Sequence, residues 1–235
     1  AEVGLGQLES VQDVALVLSR FVDVIAARTF LHGTVEALAK YGSVPVVNAL
    51  TDEEHPCQAI ADVLTVLQRH PSVKGLTMTY IGDGNNCAIS LLYAWALLGG
   101  HYRIASPVGY ELPAAVVEQA NRMCTATGGS LTLLRDPLEA ARGAHALYTD
   151  VWTSMGQEAE REQRLKEFQG YQISQATLDA AAPGAIILHP LPAHAGEEVA
   201  EDIIYTPNSL VFDEAENRLY AQQAVLATLL ESRRA

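Results

Sequence analysis

Cysteine is scarce in this chain of 235 residues, which contains only Cys57, Cys87 and Cys124. The three share no CxxC spacing, and an odd, sparse set of this kind is typical of reduced thiols inside the cell. Residues 1–4 contain neither a basic segment nor an apolar one, so no secretory signal peptide is predicted. We therefore expect a cytoplasmic protein.

Basic residues are also few: 15 Lys and Arg stand against 28 Asp and Glu, which gives a net charge of −13. Nucleic acids and anionic membrane surfaces both require basic patches, so neither is an expected partner. No apolar run approaches the ~18 residues of a membrane-spanning helix. An acidic protein still binds phosphate where arginines and backbone N–H groups converge, so the place of each arginine matters.

Linkers rich in Gly and Ser are absent as well, and the sequence has no internal repeat. Short β-branched runs alternate with helical spacings such as Ile60, Val63, Leu64 and Leu67, which predicts parallel βαβ units. The predicted strands are residues 24–27, 44–47, 77–81, 102–105, 131–134, 146–149, 185–188 and 210–212. Further helices are predicted over residues 89–98, 114–126 and 214–230.

This pattern predicts an α/β protein with two doubly wound parallel-sheet domains. Residues 1–50 carry only two of the predicted strands, so the N-terminal domain is expected to be incomplete in this chain. We expect an interdomain helix within residues 51–75 and a second domain over residues 76–213. The helix at residues 214–235 would then complete the first domain.

Two His-Pro pairs each follow an apolar run: HPCQ at residues 55–58 and HPLP at residues 189–192. Proline lacks an N–H group and fixes φ, so it ends a strand or opens a helix. The neighbouring His and Gln side chains would lie at the carboxyl edge of a sheet, where open α/β folds bind small anionic ligands. Each pair taken alone would more often be part of an ordinary loop.

The sequence GDGNN at residues 82–86 follows a predicted strand and precedes a helix. It lacks the third glycine of a dinucleotide-binding fingerprint, and no acidic ribose partner is evident about 20 residues further on. Asn86 is then either a helix cap or a donor and acceptor for the backbone of an amino acid.

A second polar loop follows the strand at residues 146–149 and contains Asp150, Ser154 and Gly156. An aspartate at a strand end is usually a cap or a turn former. The alternative is recognition of a zwitterion, with Asp150 facing an ammonium group and Ser154 facing a carboxylate. Gly156 would allow such a loop to move over its ligand.

Two arginines stand at unusual places in the predicted fold. Arg28 follows an apolar strand and lies either at the ligand-binding edge or in a surface ion pair. Arg218 is predicted in the first turn of the last helix, among acidic residues, where the helix dipole disfavours a cation. A ligand or a buried partner must then offset that cost.

Metal-binding residue types are present, but their spacing does not match known sites. His55, Cys57, His189 and His194 form neither a helical HxxxH pair nor a CxxC pair. We therefore expect no structural metal and no cofactor.

Six segments, taken in order, resemble the ornithine carbamoyltransferase family of the aspartate/ornithine transcarbamoylase superfamily. They are ARTF, HPCQAIADVLT, IGDGNN, DVWTSMGQE, HPLPA and EAENR. The resemblance implies transfer of a carbamoyl group from carbamoyl phosphate to the δ-amine of L-ornithine, giving L-citrulline and phosphate in arginine metabolism. It also implies small-molecule substrates as the partners, no cofactor, and a homotrimer or a multiple of trimers.

The resemblance further implies a role for individual residues. Arg28, His55 and Arg218 would be catalytic, with the first two donating hydrogen bonds to the oxygen on which negative charge builds. The implied carbamoyl-phosphate site consists of Arg28, His55, Pro56, Cys57, Gln58, Pro190, Leu191 and Arg218. The implied ornithine site consists of Asn86, Asp150, Ser154 and Met155.

Two departures from the family pattern matter. The Ser-x-Arg-Thr-Arg turn that binds phosphate in this family is absent from the 235 residues, so we expect the chain to begin inside the first domain and to bind carbamoyl phosphate poorly alone. Pro190 stands where ornithine enzymes usually have cysteine, and HPLP is the form of aspartate enzymes. The alternatives are therefore a transcarbamoylase for aspartate, putrescine or acylornithine, or a non-catalytic amino-acid-binding remnant.

Overall fold

The computed structural model describes residues 8–154 and 156–232. In its N-terminal part, strands β1 (Ile25–Arg28) and β2 (Val46–Leu50) form a parallel pair. Helices α1 (Val11–Leu18) and α2 (His32–Tyr41) pack against each other beside that pair. A small apolar core of Ala15, Ala27, Val35 and Leu38 holds this unit together.

A larger parallel sheet follows, with the strand order β5-β4-β3-β6-β7. Its strands are β3 (Thr77–Ile81), β4 (His101–Ala105), β5 (Ser130–Leu134), β6 (Ala146–Tyr148) and β7 (Ile186–Leu188). The helices between and after them are α4 (Asn86–Leu97), α5 (Ala114–Thr127), α6 (Pro137–Ala141), α7 (Arg161–Glu167) and α8 (Gln175–Ala180). The α/β fold with parallel sheets is the one predicted from the alternation of apolar runs.

The large sheet is buried on both faces, as its apolar strands require. Tyr148 and Leu188 pack into the core beneath α4, whereas Leu147 and Ile187 pack into a second core on the opposite face. Adjacent residues of one strand therefore belong to different cores, because side chains alternate across a strand. Trp95 of α4 is completely buried in the first of these cores.

Helix α3 (Pro56–Leu67) packs along the last helix, α9 (Val211–Ser232). Asn217 connects them, because its Nδ2 atom donates to Thr65 Oγ1 at 2.9 Å and to Gln68 Oε1 at 2.8 Å. No helix in the two described ranges is both long enough and apolar enough to cross a membrane.

The strand predicted at residues 210–212 is wrong. The N–H group of Leu210 does donate to Ile187 O at 2.9 Å, but Glu214 N donates to Leu210 O at 2.8 Å, so the chain has already turned into α9. Arg218 is therefore not in the first turn of its helix, as predicted, but two turns further along, where the dipole of the helix N-terminus has little effect. The predicted strand at residues 44–47 is displaced to β2, and Pro45 contributes only its carbonyl oxygen, which accepts from Ile25 N at 2.9 Å.

Candidate active-site cleft

A cleft of ≈ 1420 Å³ opens at the carboxyl ends of the strands of both sheets. In the large sheet it lies beyond β3 and β6, which are neighbours in space although two strands separate them in sequence. Such a point, where the strand order reverses, is where open α/β sheets bind ligands. The sequence-predicted residues on its wall are Arg28, His55, Asn86, Asp150, Ser154, Pro190, Leu191 and Arg218.

His55 stands at the N-terminus of α3 and is only 4% exposed. Its backbone N–H donates to Ser90 Oγ of α4 at 2.8 Å, and the Glu54 carboxylate accepts from the Ser90 hydroxyl, so α4 fixes the start of α3. Burial, together with the nearby cations of Arg218 and Arg28, lowers the pKa of His55 to about 4. The imidazole is therefore neutral at physiological pH and can donate one ring N–H to a ligand.

Arg28 ends strand β1 and is exposed to the cleft. Its side chain makes no hydrogen bond or ion pair with any residue in the described ranges, so its guanidinium is available to a ligand. Arg218 reaches the same cleft from α9 and is half-buried. Two cations thus act on one neutral imidazole, an arrangement suited to an anion with a polarised carbonyl group.

The remaining residues of the HPCQ segment do not line the cleft. Pro56 is the first residue of α3, and the Cys57 thiol donates weakly to Asn48 O at 3.4 Å. Burial raises the pKa of Cys57, so the thiol stays protonated and is a poor nucleophile. Gln58 is 1% exposed and lies behind the wall of the cleft.

The GDGNN turn contributes two asparagines, and the structure contradicts the helix-cap alternative for Asn86. Asn85, not Asn86, caps α4, with its Oδ1 atom accepting from Ala88 N at 3.1 Å. Asn86 instead donates from Nδ2 to Thr51 O at 2.6 Å, which ties the turn to the segment after β2. Asn86 is thus a cleft residue that connects the two sheets.

Asp150 lies two residues after the end of β6 and is 8% exposed. Its Oδ1 atom accepts from Val151 N at 2.8 Å and its Oδ2 atom from Asn85 Nδ2 at 2.9 Å. Neutral donors thus hold the carboxylate, and no Lys, Arg or His in the described part of the chain forms an ion pair with it. Ser154 lies on the same wall, and its N–H donates to Gln157 Oε1 at 3.0 Å. Met155, the fourth predicted ornithine-binding residue, lies outside the described residues.

A buried ion pair holds the loop after β6, which contains Asp150 and Ser154. Arg164 of α7 binds Asp83 Oδ2 through Nη1 at 2.6 Å, and the same nitrogen donates to Trp152 O at 3.0 Å. The guanidinium carbon also lies 4.8 Å from the centre of the Tyr110 ring. The loop after β6 is therefore fixed to the turn after β3 by a cation with several partners.

The HPLP segment forms a second wall of the cleft. Leu191 N donates to His189 Nδ1 at 2.9 Å, so that nitrogen is unprotonated and the Nε2–H donates to Glu198 Oε1 at 3.1 Å. Leu191 has a φ of 52°, in the left-handed region that residues with a side chain rarely adopt. A buried histidine thus holds a strained turn in place, a pattern found at ligand sites.

His194, Glu197 and Glu198 bring potential metal-ligand atoms within 4.8 Å of one another. Both oxygens of Glu197 are already bound by Arg161, and Glu198 Oε1 accepts from His189. The group therefore belongs to the hydrogen-bond network that supports the HPLP turn. The other histidine and cysteine residues considered at the outset, His55 and Cys57, do not join it.

Comparison with known proteins agrees with this geometry. Residues 1–68 match the family profile "Aspartate/ornithine carbamoyltransferase, carbamoyl-P binding domain", and residues 74–229 match "Aspartate/ornithine carbamoyltransferase, Asp/Orn binding domain". The chain belongs to the aspartate/ornithine carbamoyltransferase family.

Relatives within this family carry the name of the ornithine branch. The ornithine carbamoyltransferases of Gloeobacter violaceus and Thermus thermophilus are each 52% identical to this chain, over 97% and 98% of it and 73% of each relative. The solved structure of the ornithine carbamoyltransferase from Pyrococcus furiosus has a TM-score of 0.93 at 48% identity, over 98% of this chain and 73% of that one. The superfamily resemblance predicted from the six segments is thereby confirmed.

Several residues that shape this carbamoyltransferase cleft were not predicted from the sequence. They are Asn85, Asp83, Arg164, Glu198, Asp62 and Glu214. Asn85 and Asp83 lie inside the recognised GDGNN motif, so the sequence indicates polar residues at this turn but not which residues they contact. Asp62 and Glu214 also lie inside recognised segments, whereas Arg164 and Glu214 bond to residues far away in the sequence, for which a single sequence carries no signal.

Proposed function

We propose that this chain forms the active-site cleft of an ornithine carbamoyltransferase, which transfers the carbamoyl group of carbamoyl phosphate to the δ-amine of L-ornithine. One observation carries the proposal. A single cleft has Arg28, Arg218 and a neutral His55 on one side and the carboxylate of Asp150 on another. The first set suits a phosphorylated carbonyl compound, and Asp150 suits an ammonium group.

The chemistry asks for orientation and charge stabilisation rather than for a covalent intermediate. The neutral δ-amine attacks the carbamoyl carbon and negative charge grows on the carbonyl oxygen. Phosphate then leaves with the electrons of its bond to carbon and takes up the proton that the attacking nitrogen loses. The His55 N–H and the Arg28 guanidinium are donors for that oxygen. Each preorganised donor of this kind is typically worth about 10²–10³ in rate.

We assign ornithine as the acceptor substrate on the basis of the loop after β6. Asp150 is buried and, among the described residues, accepts from neutral donors alone. It therefore attracts an α-ammonium group and repels a second carboxylate such as that of aspartate. Putrescine lacks the carboxylate for which Ser154 and Asn86 are placed as donors. Pro190, the aspartate-type residue of the HPLP turn, removes any thiol contribution at that position.

The direct test is turnover of the full-length protein with carbamoyl phosphate and each of three acceptors. We expect citrulline formation with ornithine, and at most about 1% of that rate with aspartate or putrescine. Asp150→Asn should raise the KM for ornithine at least tenfold, since a buried charge partner is lost, whereas Asp202→Asn on the exposed surface should not. Faster turnover of aspartate or putrescine than of ornithine would refute the assignment.

We further propose that the protein acts in arginine biosynthesis, since a relative from Pyrococcus furiosus that is 49% identical to it is named as the anabolic enzyme. The division into residues 1–50, 51–75 and 76–213, with α9 returning to the first domain, is proposed on the packing of α9 along α3. Cytoplasmic location is proposed from the three cysteines, which are all buried free thiols. Fractionation of cells and detection of the protein in each fraction tests the location.

A homotrimer, or a multiple of trimers, is proposed as the assembly. Exposed apolar side chains near α1 support burial against another chain: Val17 is 51% exposed and Phe21 is 78% exposed. The expected result is a trimer mass, or a multiple of it, in light scattering of the full-length protein. A monomer at micromolar concentration would refute the proposal.

A further inference from the structure

Asn85 occupies the N-cap position of α4 and lies on the wall of the cleft. Its Oδ1 atom accepts two hydrogen bonds, from Ala88 N at 3.1 Å and from the Tyr80 hydroxyl at 3.1 Å. Because Ala88 N is always a donor, a reversed amide would set its NH2 group against another N–H group. The Asn85 amide is therefore fixed in a single orientation.

The hydroxyl that helps to fix this amide belongs to the core of the large sheet. Tyr80 of β3 is completely buried, and its ring stacks on that of Tyr148 in the neighbouring strand β6, with 5.5 Å between the ring centres. Burial raises the pKa of Tyr80, so its hydroxyl keeps the proton that it donates to Asn85. A rigid core side chain thus determines the direction of an amide in the cleft.

The fixed amide directs its NH2 group toward Asp150. Asn85 Nδ2 donates to Asp150 Oδ2 at 2.9 Å, while Val151 N donates to the other carboxylate oxygen at 2.8 Å. A carboxylate offers about four acceptor sites, so these two bonds orient Asp150 and leave further sites for a ligand. Asn85 and Asp150 both line the cleft, so the oriented carboxylate is accessible to a substrate there.

The residue type at position 85 is explained by Asp150 rather than by the helix. Ser, Thr, Asp, Asn and Gly all serve as N-caps, so the start of α4 alone would accept any of them. Of these, asparagine alone has a side-chain N–H group. An aspartate would set a second carboxylate against Asp150, and a serine has one hydroxyl in place of the separate acceptor and donor. Asn85 thus accepts from α4 and donates to Asp150 with a single side chain.

We propose that Asn85 is a positioning residue for the amino-acid substrate: its amide, locked by Tyr80 and by the first turn of α4, fixes the Asp150 carboxylate for the α-ammonium group of ornithine. The proposal rests on the proposed function, in which Asp150 binds that group. Because Asn85 acts through Asp150, its replacement affects recognition of the α-ammonium group and leaves the groups that stabilise the carbamoyl oxygen in place.

The experiment replaces Asn85 by another good helix cap and compares two ligands in the full-length protein. Ornithine is measured by its KM. δ-Aminovalerate, which is ornithine without the α-ammonium group, is measured by its inhibition constant as a competitor of ornithine. We expect Asn85→Ser to raise the KM for ornithine about tenfold or more, as for a lost hydrogen bond to a charged group. The inhibition constant of δ-aminovalerate, kcat and the KM for carbamoyl phosphate should each change less than about threefold.

Three further variants test the source of the effect. In the Asp150→Asn background, Asn85→Ser should raise the ornithine KM no further, since its route through the carboxylate is already lost. Tyr80→Phe removes one neutral donor to the amide and should raise the ornithine KM about two- to tenfold, with δ-aminovalerate unaffected. Ser10→Asn is the matched control, because it exchanges the same two residue types at the exposed N-cap of α1 and should leave every constant unchanged.

If Asn85 serves only as a helix cap, Asn85→Ser leaves the ornithine KM at its wild-type value, and that result overturns the proposal. An equal loss for ornithine and δ-aminovalerate also overturns it, because it would show general damage to the cleft. Where Asn85→Ser does not fold, Tyr80→Phe decides: a rise confined to ornithine supports the proposal, and an unchanged KM overturns it.

Turnover of ornithine by the wild-type protein is measured beforehand. Its absence would refute the proposed function, while calorimetric titration of wild type and variants with ornithine and with δ-aminovalerate would still test Asn85.

Discussion

The neutral state of His55 makes a quantitative prediction about acid stability. An unfolded histidine binds its proton with a pKa near 6.5, whereas burial and the two arginines lower the pKa of His55 in the folded protein to about 4. Between these values the unfolded chain binds more protons than the folded one, so stability falls as the pH is lowered through this window. A difference of that size corresponds to about 3 kcal/mol, and the side chain is too buried for solvent to screen most of it.

The perturbation is His55→Asn, which cannot ionise. Urea unfolding of wild type and variant should be measured from about pH 7.5 down to about pH 4, in a buffer free of phosphate. The stability of the variant relative to wild type should increase by about 3 kcal/mol over that range, while the effects of the other acidic groups cancel in the difference. Arg218→Gln should raise the pKa of folded His55 and so narrow the pH range over which the stability of the protein falls, since Arg218 contributes to the low pKa of His55. A difference that stays constant with pH would refute the reasoning.

Three further predictions concern the cleft. Arg28→Ala should lower kcat about 10²-fold or more and shift Tm by less than about 2 °C, since the Arg28 side chain is exposed and forms no hydrogen bond or ion pair with a described residue. An unchanged kcat would show that Arg28 has no part in catalysis. Asp83→Asn should cost about 2–3 kcal/mol in urea unfolding and raise the KM for ornithine, because Arg164 keeps only its weaker partners. Gly84→Ala should destabilise the protein by about 1–3 kcal/mol, because the new Cβ would lie 2.6 Å from a backbone nitrogen. Gly33→Ala in helix α2, where nothing lies within 4 Å of the new Cβ, should stabilise it by about 0.5–1 kcal/mol. Similar Tm values for the two variants would contradict this.

The sequence was most informative where a backbone rule fixed the position of a side chain. Proline is favoured in the first turn of a helix, so the HPCQ segment had to open α3 and place His55 at its N-terminus. Asp150 follows a strand, and the ends of parallel strands meet at one edge. Both residues therefore reach the cleft that the motifs predicted.

The sequence was least informative where the answer depended on distant partners. A short apolar run before a helix carries no local signal that distinguishes a strand from the first turn of that helix. Residues 210–212 are therefore predicted as a strand, which places the start of the last helix too late and Arg218 in its first turn. Gln58 and Glu214 are 156 residues apart, and nothing near either of them indicates their contact. Amide orientation likewise follows from the surrounding donors and acceptors rather than from residue type.

The separation of charge in the cleft explains how so acidic a chain can bind a phosphorylated substrate. A net charge of −13 repels a dianion at long range, but at about 0.15 M salt this field decays within ~8 Å, so local groups decide binding. Arg28 and Arg218 lie close enough to His55 to lower its pKa, and an anion bound beside the neutral imidazole would be attracted by both guanidinium groups. Ornithine carries a net positive charge, and Asp150 offers its ammonium group a carboxylate that no cation among the described residues pairs with. Each substrate thus finds groups of the opposite charge in its own part of the cleft.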